Sequence, residues 1–170
     1  SLKTKFEIKE LELNALLEIT QAINNNLSEE SLYKIYNFTL RSNLNIRKLA
    51  LFVLDEEWSC KVSFGTNKIF SKSHLLPEFK TIQDITHLKH FKKCEFSVFD
   101  IIIPVTHKST TLALVFVGGL EKDDPRYENE DGIKFIQALS NIIIVAIENK
   151  KLVRKQLSQE SFRKELEIAS

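Results

Sequence analysis

From residue 129 to residue 169 the chain contains one glycine, Gly132, and no proline. At 1.5 Å per residue, an unbroken helix of roughly 40 residues is about 60 Å long, more than the diameter of a domain that the rest of the chain can build. Part of it must therefore project. Ile133, Ile136, Leu139, Ile142, Ile143 and Ala146 give the first half an apolar face, whereas Leu152, Val153, Leu157, Phe162 and Leu166 are sparser among lysines and glutamates. The composition shifts from that of a core helix to that of a seam. Glu160 and Lys164, one turn apart, add support on the exposed side.

The opposite end of the chain has a related pattern. Leu2, Phe6, Leu13, Leu16, Ile23 and Leu27 fill six of eight places in a 4,3 heptad spacing, with Lys9 and Thr20 as exceptions. Ile8, Leu11, Leu17 and Ile19 widen the stripe, so this helix can face a domain and a partner helix at once. Asn24, Asn25 and Asn26 end it. Ser28 then has the character of an N-cap, followed by Glu29 and Glu30, with Leu27 and Leu32 at staple spacing. A second helix is predicted to about Ser42, with Leu32, Ile35, Tyr36, Phe38 and Leu40 suited to packing on a sheet.

Between the helices the period changes. Leu49 to Leu54 form a continuous apolar run, as in a strand covered on both faces, and Trp58 to Phe64 alternate as its antiparallel partner, stopped by Gly65. A second hairpin is predicted from Ile101 to Val105 and Leu112 to Val117, with Pro104 marking an edge or bulge. Gly118 and Gly119 close the sheet, and the last helix is predicted to begin at Asn129. Residues 66–98 form no clear long element, and long irregular connections often carry function.

A length of 170 residues fits one domain with helical extensions, and 43% apolar residues suffice for a core. The net charge of +1 supplies no field for nucleic acid or an anionic membrane, so neither partner is expected. No apolar run reaches a membrane span and no signal-peptide core is present, from which a soluble, cytoplasmic chain is expected. Cys60 and Cys94 are widely separated and indicate neither a disulfide framework nor a cysteine-rich zinc site. Methionine is absent even at position 1, so Ser1 reads as a remnant of cleavage and the native protein as beginning earlier.

The stretches LNALLEITQAINNNLSEESLYKIY (13–36), IIIPVTHKSTTLALVFVGG (101–119) and EDGIKFIQALSNIIIVAIENKKL (130–152) resemble GAF domains, sensor relatives of the PAS fold. The resemblance implies an α+β fold: a central antiparallel sheet of about five to six strands, N- and C-terminal helices on one face, and a long exit helix. It divides the chain into a signalling helix (1–27), a GAF-like domain (28–150) and a coiled-coil exit helix (151–170) leading toward an effector domain. KELEIAS at 164–170 resembles the linker into bacterial serine phosphatases that regulate sigma factors, with histidine kinase and diguanylate cyclase effectors also open.

The function so implied is a non-enzymatic regulatory sensor and dimerisation module. A ligand-free dimerisation spacer and a haem or redox protein are the alternatives. The expected partners are a second copy, paired through Leu13, Leu16, Ile23, Leu152, Val153 and Leu157, and a small molecule whose identity, like any cofactor, the sequence does not name. In GAF domains a ligand lies between the sheet and the variable segment, which makes Phe64, Phe70, His74, Phe79, Phe91 and Phe99 pocket candidates. Phe96 belongs to the same aromatic group.

Other chemistry is weaker. Cyclic-nucleotide-binding GAF domains share an Asn-Lys pair followed by Phe, three residues and Asp-Glu. Here Asn67, Lys68, Tyr127 and Asp131 supply part of that pattern, with Tyr for Phe and Gly132 for Glu. His87, His90 and Cys94 would share one helical face, yet a closed zinc site needs a fourth ligand, and neither His74 nor Cys60 is positioned for it. No hydrolase, phosphate-loop or metalloprotease signature occurs.

Overall fold

The long helix forms. The computed structural model describes residues 2–121, 123–125 and 130–169, and α3 runs Asp131–Ala169, 39 residues or about 58 Å. The expected start at Asn129 and the motif residue Tyr127 lie outside the described residues. Burial in α3 stops at Lys151, and every residue from Leu152 to Ala169 is exposed.

The first helix, α1, is Leu2–Asn24, and Asn26 follows with a left-handed φ of 54°. It buries Glu12, Ala15, Ile19 and Ala22. Ser28 caps α2 (Glu29–Phe38), its Oγ accepting from the Ser31 N–H at 3.1 Å. Instead of continuing as α-helix to Ser42, the chain widens into a π-helical turn, Thr39–Asn43, with the Leu44 N–H donating to the Thr39 carbonyl. That turn and its exit keep Thr39, Leu40, Leu44 and Ile46 buried.

Five antiparallel strands, β1 (Lys48–Asp55), β2 (Glu57–Phe64), β3 (Thr86–His87), β4 (Ile101–His107) and β5 (Thr110–Gly118), form one sheet in the order β2-β1-β5-β4-β3. Lys108 and Ser109, with φ of 51° and 65°, make the two-residue turn between β4 and β5 whose twist suits a hairpin. Pro104 has an edge position. Ile102 pairs outward with Thr86 of β3, and two residues further on Pro104 is past the end of β3, its carbonyl accepting from Gln137 Nε2 of α3 at 3.1 Å.

The sheet separates two cores. Leu49, Leu51, Val53, Ile101, Ile103, Val105, Val115 and Val117 meet the three helices on one face. Ala50, Phe52, Ile102, Leu114 and Phe116 meet the segment between β2 and β4 on the other. That segment is a chain of short 3-10 turns: Lys72–His74, Pro77–Thr81, Leu88–His90 and Glu95–Val98.

The helix expected to align His87, His90 and Cys94 does not form. His87 ends β3, and the Leu88 N–H donates to the Asp100 carbonyl at 2.9 Å, which ties the segment to the sheet edge instead of to a helix of its own. Among the described residues no group of three or more His, Cys, Asp or Glu could hold a metal ion. No helix among them is long and apolar enough to cross a membrane.

Candidate functional site

The space where a GAF ligand is expected is filled by phenylalanine side chains. Phe96 is the centre of the layer, stacked on Phe116 at a centroid distance of 4.2 Å and on Phe70 at 5.0 Å, with Phe52 and Phe79 edge-on at 5.5 and 5.8 Å. Phe99 is tilted against Phe70 at 5.4 Å, and Phe91 closes the outer side against Phe79 at 5.0 Å. These separations are those of well-packed aromatic pairs. An open cleft of about 430 Å³ lies at the margin, lined by His87, Lys89, Phe91, Lys93, Phe99 and Asp100 among others.

Of the pocket candidates, Phe70, Phe79, Phe91 and Phe99 are brought together in this layer, and two are not. Phe64 lies on the opposite, helix-facing side, with the Arg41 guanidinium 5.9 Å from its ring. The cause is a bulge. β1 pairs Leu51 with Val62 and Phe52 with Cys60, leaving Lys61 as an extra residue, so Trp58 and Cys60 point to the aromatic layer and Val62 and Phe64 away from it. His74 is half-buried, and its Nδ1 accepts the Ser71 N–H at 3.2 Å as part of a turn. Cys60 borders the layer, and burial pushes its thiol up to about 11.

The helix candidates divide in the same way. Leu16 and Ile23 are half-buried against the helix-side core, whereas Leu13 is exposed beside Leu2, Phe6 and Leu17. At 100° per residue these four exposed side chains occupy an arc of about 60° on α1. On α3, Ala138, Ile142, Leu152, Val153 and Leu157 are exposed within an arc of about 140°. The stripe thus passes from the docked half of α3 into the projecting half. The two helices run in the same direction: Ile8 and Leu11 lie beside Phe135 and Ile136, and Lys150 Nζ donates to Asn26 Oδ1 at 2.6 Å. Val153 and Leu157 also line a cleft of about 780 Å³ between α3 and the start of α2.

A polar junction between α2 and α3 was not marked as a site in the sequence. Tyr36 and Ser140 share a buried hydrogen bond of 2.7 Å, and Arg154 reaches Glu29 at 2.7 Å near the helix exit. Between them lie Tyr33, Asp55, Glu148 and Lys151. Burial raises the pKa of both tyrosines, most of all by desolvation. The available signal was a lysine at the next helical step after Ile143 and Ile147.

No family model matches this sequence, and no curated protein matches it at a significant level. Solved structures do match it. A GAF domain from Pseudomonas syringae pv. tomato is 11% identical, with a TM-score of 0.68 over 94% of this chain and 99% of that one. GAF domains of phosphoenolpyruvate-protein phosphotransferases from Acinetobacter and Coxiella burnetii are 17% and 18% identical, with TM-scores of 0.62 and 0.63. They cover 83% and 85% of this chain, and 95% and 96% of their own. The architecture is therefore that of an α+β domain flanked by parallel terminal helices. The chain has the GAF fold.

Proposed function

We propose that this chain is a non-catalytic regulatory module that pairs with a second copy through α1 and α3 and passes an input along α3 to an effector. The observation that carries this reading is the exposed apolar stripe of α3, with Ala138 and Ile142 in its docked half, Leu152, Val153 and Leu157 in its projecting half, and Asn149 exposed between them. Such a stripe is unfavourable in water, and burying each Val or Leu contributes about 1.5–3 kcal/mol. A parallel partner helix covers it, and α1 beside it extends the contact toward a four-helix bundle. Because α3 has no break at the domain boundary, displacement of its docked half moves the projecting half.

The input is a small molecule in the leading reading, bound by rearrangement of the aromatic layer. The filled layer around Phe96 favours a second reading, a dimerisation spacer that takes no ligand. For the effector, the resemblance of residues 164–170 points to a serine phosphatase.

Light scattering on the 170-residue chain and on a Leu152→Ser, Val153→Ser, Leu157→Ser variant tests the pairing. The expected result is a dimer that becomes a folded monomer in the variant, because those residues touch no core. A chain that stays monomeric at about 100 μM would contradict it. A thermal-shift screen separates the two readings, since a ligand at about 100 times its dissociation constant adds about 2.7 kcal/mol. A hit abolished by altering Phe91 and Phe99 supports the sensor, and a dimer without any hit supports the spacer.

A further inference from the structure

The buried face of α3 carries Ile133, Ile136, Ser140, Ile143, Ile147 and then Lys151, three or four residues apart. An ammonium-bearing side chain, 2% exposed, thus holds the last place of a mostly apolar stripe. Its charge is loosely balanced. Nζ stands 3.7 Å from Asp55 Oδ2 at the end of β1 and 3.9 Å from Glu148 Oε2 on α3, and no hydrogen bond reaches it. The Tyr33 hydroxyl of α2 is also buried without a hydrogen bond, and it feels the Glu29, Asp55 and Glu148 carboxylates. From Leu152 to Ala169 every residue of α3 is exposed, with Arg154 still paired to Glu29 of α2.

A buried ion pair recovers its desolvation penalty only with close hydrogen-bonded geometry, and a packed apolar side chain in its place is often neutral or more stable. Lys151 lacks that geometry, so the last docked turn of α3 is less secure than an apolar residue would make it. A lysine can also regain water by a small rotation, because its stem stays against apolar surface while the ammonium moves out. An arrangement of this turn with Lys151 in solvent, instead of facing Asp55 and Glu148, would break no hydrogen bond of the ammonium.

We propose that Lys151, Asp55, Glu148 and Tyr33 form a release latch for the exit helix, opened by displacement of α2 or of the turn between β1 and β2. This inference rests on reading α3 as the output element. It supplies the point at which the domain acts on that element, and it assigns Lys151 a positioning role.

Hydrogen exchange of the full 170-residue chain tests it, comparing Lys151→Met with the Glu148→Gln and the Asp55→Asn/Glu148→Gln variants. The expected result is about tenfold slower exchange of amides 147–153 in Lys151→Met, because the buried charge is removed while the Asp55 and Glu148 carboxylates, 37% and 32% exposed, stay hydrated. Exchange of the same amides becomes at least about tenfold faster in the double variant and less so in Glu148→Gln, with β1 and β5 unchanged in all three. A plain structural ion pair gives the opposite sign for Lys151→Met, with faster exchange. That result, or no local change in any variant, overturns the latch. Repeating the measurement in the Leu152→Ser, Val153→Ser, Leu157→Ser background separates the two claims: failure of pairing shows in light scattering, failure of the latch in exchange.

Discussion

Replacing Phe96 with alanine removes the ring on which the second face of the sheet is built. Phe96 is fully buried and lies within aromatic contact of Phe52, Phe70, Phe79, Phe99 and Phe116. Truncating a buried phenylalanine costs about 3–5 kcal/mol through lost transfer energy and the cavity left behind. Contacts with five rings, two of them at 5.0 Å or less, place this site at about 4 kcal/mol. For a chain of this length the melting temperature should fall by about 8–16 °C. Urea unfolding followed by circular dichroism measures the loss, with Phe38→Ala as control; Phe38 is 53% exposed, so its change should stay within about 0.5 kcal/mol. A loss below about 1 kcal/mol for Phe96→Ala would show that the layer rearranges freely and would refute its description as close-packed core.

Four further outcomes follow from individual residues. Tyr36→Phe removes a buried bond but leaves Ser140 Oγ donating to the Ile136 carbonyl at 2.7 Å, so urea unfolding should register a loss of about 1 kcal/mol, not 3. Gly65→Ala puts a Cβ 1.8 Å from the Arg47 carbonyl oxygen at a φ of +80°, and denaturation should show a loss above about 2 kcal/mol. At pH 8 the Cys60 thiol, raised from 9.0 to about 11, holds about 100-fold less thiolate than a free thiol and should react with a disulfide reagent about 10-fold more slowly, its thiolate being the more nucleophilic. Because the folded-state value is the higher one, the corresponding stability is complete below pH 9 and declines as pH rises toward 11; Cys60→Ala should flatten that decline in alkaline unfolding curves.

The parts of the fold legible in the sequence are those set by local period. The continuous apolar run 49–54 became β1, an interior strand paired on both sides, the two hairpins formed where polar turns interrupt apolar stretches, and the absence of breakers after Gly132 gave one helix. What the sequence hid depends on a single residue or on distant partners. Alternation from Trp58 to Phe64 suggests one shared face, and the extra residue Lys61 divides it, which removes Phe64 from the aromatic layer. The spacing of His87, His90 and Cys94 fits a helix, but the hydrogen bond from Leu88 to Asp100 holds that segment at the sheet edge. Lys151 looked like one more lysine of a solvated helix. Only the packing of α2 and the turn between β1 and β2 against α3 shows that it is buried.

Pairing of the exit helices is tested most directly by disulfide trapping in a Cys60→Ala, Cys94→Ala background. Leu157→Cys lies on the apolar stripe, whereas Ser158→Cys, about 100° further round the helix, points away from it. The account predicts rapid formation of a covalent dimer through position 157 and little through 158. Equal rates at the two positions, or no cross-link at 157, would contradict it.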